Sequence, residues 1–584
     1  MTKTTSSGKI RTLIDWRILK GRLFAFACVS GLAVVCGSGL VSQIAFAAGG
    51  TIHVDKQISS SSCTNYNPST RACGSGTDTA YKTITGASAA ATPGTTVLIH
   101  GGSYAEPLIP QTSGAPDQYI TFKNYSNEQV FLGGETAIVL SHRRYIWIEG
   151  LRVEDRLWLE SNNSDASFAN TFQNRNYNVI KGCVFKRSTA SGTTGNIRFV
   201  RSHNNRLLNN TIEDGVDNVL LIDSERNLVE GNTITTGHHS LFGVRCADYN
   251  VIRNNYFSNP LQKIGEVYDC GVDTHAVPNS FDSTKHNVIE NNVFADASES
   301  YSLSDGNGIQ YSGQEGILRR NVFYNCNVGL AMQRYEDEAL YNVNNRIYHN
   351  VFYNNDGPGI SFGAGVLNNV FKNNSLFANK GCIGDCGTTS PGQVTYLENP
   401  AGGPFWEATL FSSNDIFYQQ PGQPVIESAF GSGLSIADFN AQVKQVFLNT
   451  REVNPQFVNA ASLDFHLQST SPLIDAGESL TRTAEAKSAS TSMRVEDAAY
   501  FYDGYGIVGL EGDLIQLQGG TSTARVTAVD YATKTLTLDR PLSWTAGQGV
   551  SLQFGGNAPD IGVFETNVST PLALPSAPTN LRVQ

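Results

Sequence analysis

The chain has 584 residues, of which 16% are charged and 40% hydrophobic, and it contains 56 glycines. Disordered chains combine high charge with low hydrophobicity, and coiled coils are built largely from Ala, Glu, Lys, Leu and Arg, so both classes are excluded. The net charge of −11 also excludes a broad nucleic-acid-binding face, which needs clustered Lys and Arg.

The amino-terminal segment has the layout of a secretory signal. Residues 1–22 carry six bases and one acid, an apolar stretch begins at Leu23, and it ends in the Ala-x-Ala sequence of Ala45 to Ala47. We expect a signal peptide over 1–47, cleavage after Ala47, and a bacterial protein that is secreted or held at the cell surface. An uncleaved anchor is the alternative, since about 20 apolar residues span a bilayer. Cleavage leaves no stable membrane insertion and a mature net charge of about −16.

Two cysteine pairs predict disulfides in an exported protein. Cys63 and Cys73 flank a polar loop, and Cys382 and Cys386 bracket the tight loop C-IGD-C. Zinc binding is the weaker interpretation of C-x3-C, because no His lies nearby.

Residues 81–91 (YKTITGASAAA) are apolar and Ala-rich and are followed by Pro93-Gly94. This pattern predicts a short amphipathic helix that covers the first coil of a repeat array, whose edge would otherwise be exposed. Strands are predicted directly after it, in residues 96–104, 119–125, 128–134 and 144–154.

A short phrase recurs along the middle of the chain: an apolar residue, two further residues, Asn and then an apolar pair. Residues 201–400 contain 31 asparagines, and aligning the phrases on one Asn gives spacings of 22, 23, 37, 29, 29 and 24 between positions 210, 232, 255, 292, 321, 350 and 374. A unit of 22–24 residues with insertions is the signature of a solenoid. Each apolar run has two or three residues, which is too short for helices.

A third β-prone run follows each phrase, as in FGVRC (242–246), CGVDTH (270–275), NGIQYSG (307–313) and VGLAMQRY (328–335). Three short strands per unit predict an all-β fold, a right-handed parallel β-helix that buries stacked apolar ladders. Within it, Cys246 and Cys270 are either stacked core thiols or a disulfide that joins two coils.

The carboxyl-terminal part has a different pattern. Residues 493–556 alternate apolar and polar positions, which predicts a small antiparallel β-module. The predicted organisation is therefore a signal peptide (1–47), an amino-terminal segment with its capping helix (48–95), the β-helix (96–480), the β-module (481–566) and a Pro-rich tail (567–584).

The YKTI…PGTTVLIHGGSY entry and the N-x-[VI]-x-x-N-x-[FI] coils resemble bacterial right-handed β-helix proteins of the polysaccharide lyase-like group, namely pectate lyase family 9 and chondroitinase B-like proteins. The resemblance covers roughly residues 51–420. It implies a secreted, monomeric, carbohydrate-active protein that acts on an anionic polysaccharide. The adjacent-aspartate calcium cluster of family 9 and the Asn/Glu/Glu calcium set of chondroitinase B-like lyases are both absent, so no catalytic residue is carried over.

Candidate site residues come instead from the predicted register and from clustering. Aligning the third runs on Gly243, Gly308 and their equivalents stacks Arg245, Asp273 and Gln310 on the outer surface of neighbouring coils, with His275 and Gln333 two positions further on. The 37-residue spacing between Asn255 and Asn292 contains an inserted loop with several charged groups, and functional groups of solenoids tend to lie on such loops. The further candidates around this column are Lys263, Glu266, Asp269, His238, His239, Arg334 and Tyr335.

The leading hypothesis is a lyase that cleaves a uronic-acid polysaccharide by β-elimination. This reaction neutralises a carboxylate, removes the neighbouring proton and protonates the leaving oxygen. Arg245 or Arg334 would pair the carboxylate, Lys263 or His275 would be the base, and Tyr335 or Tyr268 the acid. Substrate binding is assigned to His238, His239, Gln310, Gln333, Arg334 and Tyr335. Ca²⁺ is a candidate cofactor, held by Glu266, Asp269 and Asp273.

Two alternatives use the same fold. A glycoside hydrolase needs a pair of carboxylates, for which Asp273 with Asp269 or Glu266 is available, although the paired-Asp pattern of polygalacturonases is absent. A carbohydrate-binding or adhesion protein needs aromatic side chains that stack on sugars, for which the sequence offers Trp147, Trp158 and Trp406.

Overall fold

A computed structural model describes residues 49–133, 135–154, 157–163, 175–187, 196–268, 284–297, 306–333, 342–363, 365–381, 392–396, 409–428, 431–442, 445–568 and 572–577. Outside these ranges lie the predicted signal peptide, Trp406 and the candidates Asp269, Asp273, His275, Arg334, Tyr335, Cys382 and Cys386.

Parallel strands repeat in three rows, and most coils contribute one strand to each row. The first row pairs along one sheet: Thr51–Val54, Thr96–Ile99, Ile120–Asn124, Ile146–Glu149, Val179–Lys181, Arg206–Leu208, Leu228–Glu230, Val251–Arg253, Val288–Glu290, Ile317–Arg319, Arg346–Tyr348, Val370–Lys372, Leu410–Ser412 and Phe447–Leu448. This arrangement confirms the predicted right-handed parallel β-helix.

The second and third rows share a second sheet. The second row comprises Gly102–Tyr104, Val130–Leu132, Arg152–Val153, Val184–Lys186, Tyr256–Pro260, Val293–Ala297, Val322–Cys326, Val351–Tyr353, Ser375–Phe377 and Asp415–Phe417. The third row comprises Thr136–Val139, Leu157–Asn162, Ile197–Val200, Lys263–Tyr268, Asn307–Tyr311, Val328–Met332, Ile360–Phe362, Val394–Tyr396 and Ile426–Ser428. In two coils a single long strand runs through both rows, Thr211–Ile222 and Thr233–Arg245.

The interior is filled by ladders of identical or similar side chains. Phe257, Phe294, Phe323 and Phe352 occupy equivalent positions in four successive coils, and their ring centroids lie 5.2, 4.9 and 4.7 Å apart. Each is the apolar residue that follows the aligned Asn by two positions, so the repeat in the sequence is the repeat of the core.

The aligned asparagines form a buried ladder at the corner between the first and second rows. In each coil the side-chain amide donates to the carboxamide oxygen of the next Asn, as between Asn292 and Asn321 (3.1 Å) and between Asn321 and Asn350 (3.1 Å). The same amide also donates to a backbone carbonyl, Ile289 in the case of Asn321, at 2.8 Å. The ladder thereby satisfies backbone groups that the corner leaves without strand partners.

Replacing Asn321 with alanine is expected to lower the free energy of unfolding by about 2–4 kcal/mol, because several buried donors and acceptors lose a partner. The control is Asn454→Ala, since Asn454 is exposed and accepts a hydrogen bond only from the nearby Gln456 amide among the contacts described. That change should stay within about 0.5 kcal/mol. Urea unfolding of both variants checks the prediction, and equal losses would contradict a stabilising role for the ladder.

The amino-terminal part combines a small antiparallel element with the capping helix. The strands Ser62–Asn67, Ala72–Cys73 and Asp78–Tyr81 precede the helix Ile84–Ala90, which begins after the capping hydroxyl of Thr83. The predicted Cys63–Cys73 disulfide is present. Cys246 is also disulfide-bonded, which matches the disulfide alternative for this residue, although its partner lies outside the described residues.

The carboxyl-terminal part begins with the helix Ile436–Gln442 and a hairpin of Phe457–Asn459 with Asp464–Leu467. The predicted antiparallel module follows, as a six-stranded sheet within the described residues: Thr481–Arg482, Lys487–Arg494, Leu514–Leu517, Thr523–Asp530, Thr535–Trp544 and Gly549–Leu552. The module packs on the outer side of the first row, where Leu228, Val251, Val288 and Ile317 join its apolar core.

Short elements complete the description: the 3-10 helices Tyr125–Asn127 and Ala460–Ser462, the pair Asn342–Val343 with Val366–Leu367, and the strand Gly431–Leu434, which is antiparallel to Ile426–Ser428. Across the described ranges, no helix has the length and apolar character needed to cross a bilayer.

Candidate active site

A polar cluster lies on the outer side of the third row, where the long strands Thr211–Ile222 and Thr233–Arg245 meet Lys263–Tyr268. Apolar residues at alternate positions, such as Val244 and Val267, point into the core, so the intervening side chains project outward. This cluster contains Asp217, His239, Ser240, Arg245, Lys263, Glu266, Tyr268 and Gln310, and we call it the Asp217–His239 cluster.

A β-bulge brings His239 to Asp217. Gly215 pairs with Gly237 and Asp217 pairs with Ser240, so the strand Thr233–Arg245 has one more residue than its neighbour at this point. Bulges turn side chains out of the regular alternation. Nδ1 of His239 lies 2.8 Å from Oδ1 of Asp217, and the hydroxyl of Ser240 donates to the same oxygen at 2.7 Å.

The electrostatics of Asp217 determine which nitrogen of His239 carries the proton. Burial acts to raise the pKa of Asp217, but the hydrogen bonds from His239 and Ser240 and the charge of Arg245 outweigh it, so this pKa is lowered. An ionised carboxylate only accepts hydrogen bonds, so Nδ1 of His239 donates to it. In the neutral ring, Nε2 then carries the lone pair.

Glu266 lies among the basic side chains of the cluster. Its Oε1 lies 2.6 Å from Nζ of Lys263 and 3.3 Å from Nε2 of His239, and its Oε2 accepts from Nη2 of Arg245 at 3.1 Å. The guanidinium of Arg245 lies over the ring of Tyr268, 5.5 Å from its centroid. Both oxygens of Glu266 therefore face basic side chains, which does not fit a Ca²⁺ ligand.

Lys263 joins the remaining polar groups. Its ammonium donates to Oε1 of Gln310 at 3.0 Å and to the hydroxyl of Tyr268 at 3.3 Å. The side chain of Lys263 is 9% exposed and that of Glu266 is fully buried, whereas His239 is 23% exposed. His239 is thus the most accessible of these three groups.

The register predicted for this region is wrong in one respect. Glu266 pairs with Gln310, whereas Arg245 pairs with Tyr268, so Arg245 lies two positions further along than the column that contains Gln310. The error comes from aligning Gly243 with Gly308. In the preceding coils, apolar residues occupy the position equivalent to Gly308, and Gly243 lies two positions further along. In the coil with the 37-residue spacing, the third-row strand is Lys263–Tyr268, which lies earlier in the chain than the predicted segment 270–275.

Two other candidates lie apart from this cluster. His238 is 61% exposed, and its Nε2 lies 4.0 Å from Oδ1 of Asp214. Gln333 follows the strand Val328–Met332, and its carbonyl accepts from the hydroxyl of Ser312 at 2.6 Å. Asp217 was missed by the sequence analysis, although it precedes His239 by 22 residues, which is one coil.

Part of the chain is similar to a known family model and to a protein of Bacillus subtilis. A family model described as periplasmic copper-binding protein (NosD) matches residues 113–311, which is less than half of the chain. The chain is 25% identical over 335 residues to the uncharacterized protein YwoF of Bacillus subtilis (strain 168), a match that covers 52% of this chain and 71% of YwoF.

Solved structures that are similar to the chain have low sequence identity. Pectate lyase Pel9A is 13% identical with a TM-score of 0.41, covering 89% of this chain and 97% of Pel9A. The family 6 alginate lyase AlyGC is 16% identical with a TM-score of 0.35, covering 59% of this chain and 48% of AlyGC. Neither likeness assigns a residue or an activity to this chain.

Proposed function

We propose that the protein is an exported polysaccharide lyase that cleaves a uronic-acid polymer by β-elimination at the Asp217–His239 cluster. The observation that carries this proposal is a partly exposed imidazole, oriented by a buried carboxylate, beside two buried cations. A base and nearby cations are the two kinds of group that removal of a proton next to a carboxylate requires.

His239 is the proposed base. Its Nδ1 is held by Asp217, and its Nε2 would accept the proton of the substrate. Nε2 also lies 3.3 Å from Oε1 of Glu266, whose carboxylate would stabilise the imidazolium that forms. Lys263 is a poorer candidate for the base because its ammonium is only 9% exposed and contacts Glu266 at 2.6 Å, Gln310 at 3.0 Å and the hydroxyl of Tyr268 at 3.3 Å. Asp217 is a positioning residue in this proposal.

Arg245 and Lys263 are proposed to stabilise the negative charge that develops on the uronate during proton removal. Both are buried and are held in place by Glu266, so their positions are fixed before substrate binds. Tyr268, whose hydroxyl contacts Lys263, is the proposed acid for the leaving oxygen. No step of this scheme passes through a metal ion.

Glycoside hydrolysis has weaker support. Its two carboxylates must reach the glycosidic bond, whereas Asp217 and Glu266 are fully buried and are hydrogen-bonded or ion-paired to basic side chains. Export is supported by the Cys63–Cys73 disulfide, since disulfides persist in oxidising compartments.

Incubation with alginate, polygalacturonate, chondroitin and glucuronan tests the proposal. Elimination leaves an unsaturated sugar that absorbs ultraviolet light, and we expect this signal to rise together with new reducing ends on at least one polymer. New reducing ends without the absorbance would indicate hydrolysis. Binding to a polymer without either signal would indicate an adhesion protein, and both of these results would refute the lyase.

A further inference from the structure

Four aromatic side chains lie together on the outer side of the first row, away from the Asp217–His239 cluster. Tyr145 and Tyr177 are stacked with centroids 5.1 Å apart, and the ring of Tyr119 meets Tyr145 at 5.7 Å and Trp147 at 5.8 Å. All four are half-buried, and among the described residues the apolar core clusters do not include them. We call this group the aromatic platform.

The platform lies where the carboxyl-terminal module stops covering the first row. The outward column that contains Trp147 continues through Val179 and Arg206 to Leu228 and Val251. From Leu228 onward this column is packed against the carboxyl-terminal module.

At the boundary, Nη1 of Arg206 donates to the carbonyl of Val508 in the module, at 3.5 Å, and Val508 is itself exposed. The same face therefore changes from aliphatic and covered to aromatic and half-buried. A contiguous apolar patch that stays partly open to solvent and is rimmed by polar residues marks an interaction site.

Two basic side chains lie against Trp147 in the platform. The ammonium of Lys181 lies 5.8 Å and the guanidinium of Arg206 lies 5.9 Å from the centroid of Trp147. The indole Nε1 of Trp147 donates to Glu149 at 2.9 Å, which fixes the orientation of the ring. A locally positive face on a chain of net charge −11 is complementary to an anionic partner.

We propose that the aromatic platform is a second carbohydrate site, which holds a segment of an anionic polysaccharide without cleaving it. Tyr and Trp supply rigid apolar area with polar edges, on which the C–H face of a pyranose ring stacks. Lys181 and Arg206 would pair with the uronate carboxylates. The choice of a uronic-acid polymer rests on the proposed function, whereas the site lies on a different sheet from the proposed catalytic cluster.

The test measures binding to alginate and polygalacturonate by affinity electrophoresis, in a His239→Ala background so that the polymer is not degraded. Trp147→Ala is expected to weaken binding by about tenfold, and Trp147→Phe to retain most of the affinity, because the flat apolar ring is kept. Binding should also weaken as salt is added, and less steeply in Lys181→Ala.

Phe131→Ala is the matched control. Phe131 is also a half-buried ring beneath a cation, with the guanidinium of Arg152 5.4 Å from its centroid, but it belongs to the second row. Its removal should leave affinity unchanged. Circular dichroism and thermal unfolding identify any variant whose fold is altered. If Trp147→Ala is such a variant, the salt dependence of Lys181→Ala decides the question, and a slope equal to that of the parent would overturn the platform.

The outcomes separate the two proposals. Unchanged affinity in Trp147→Ala, or an equal loss in Phe131→Ala, would overturn the platform even where the protein is a lyase. Binding that depends on Trp147 in a protein without lyase activity would support the platform and refute the proposed function. Equal binding of neutral dextran would overturn the assignment of an anionic ligand.

Discussion

Replacing His239 with alanine is expected to lower the rate of β-elimination by about 10²- to 10⁴-fold, the usual contribution of a general base. The reason is geometric, because the bulge in the strand Thr233–Arg245 directs this imidazole to Asp217 while leaving it the most accessible of the groups around Glu266. The initial rate of ultraviolet absorbance on the preferred polymer is the measurement.

His466→Ala is the control for that prediction. His466 also has its Nδ1 beside an aspartate oxygen, that of Asp464 at 2.6 Å, but it lies in the hairpin that follows the β-helix. Its loss should leave the rate unchanged. Asp217→Asn should lower the rate as well, since the amide no longer selects the tautomer with the proton on Nδ1. A His239→Ala variant with normal activity would remove this cluster from the mechanism.

Replacing Arg319 with methionine is expected to destabilise the protein by about 3–5 kcal/mol, because two buried carboxylates lose the cation that they share. Nη2 of Arg319 lies 2.5 Å from Glu290, in the β-helix, and 2.6 Å from Asp513, in the module. Its Nη1 also donates to Tyr348 at 2.8 Å. All four side chains are buried, so water cannot replace the missing charge.

Urea unfolding measures this loss, and limited proteolysis should show faster cleavage of the module, since Arg319 joins it to the β-helix. Arg540→Met is the matched control, because its ion pair with Asp539 is largely exposed and contributes little to stability. Replacing Glu290 and Asp513 with uncharged residues in the Arg319→Met background should recover part of the stability. A loss no larger than that of Arg540→Met would show that the ion pairs do not hold the module.

The sequence alone determined the architecture of the β-helix. The asparagines at 210, 232, 255, 292, 321, 350 and 374 predict both the coil length and the corner, and the structure places these side chains in one ladder. This succeeds because stacked coils require the same side chain at the same corner, so a spatial contact becomes a repeat in the chain. The antiparallel module follows equally from its alternation of apolar and polar residues.

The tertiary structure decided the membership of the candidate site. The sequence pattern predicts the third run of this coil at 270–275, whereas backbone pairing with Thr233–Arg245 makes Lys263–Tyr268 the third-row strand. One extra residue at the bulge then directs His239 toward Asp217. Pairing across coils depends on hydrogen bonds between segments 20–40 residues apart, so local periodicity cannot resolve a shift of two positions. The repeat therefore predicts the scaffold, whereas register and a single bulge select the groups that face one another.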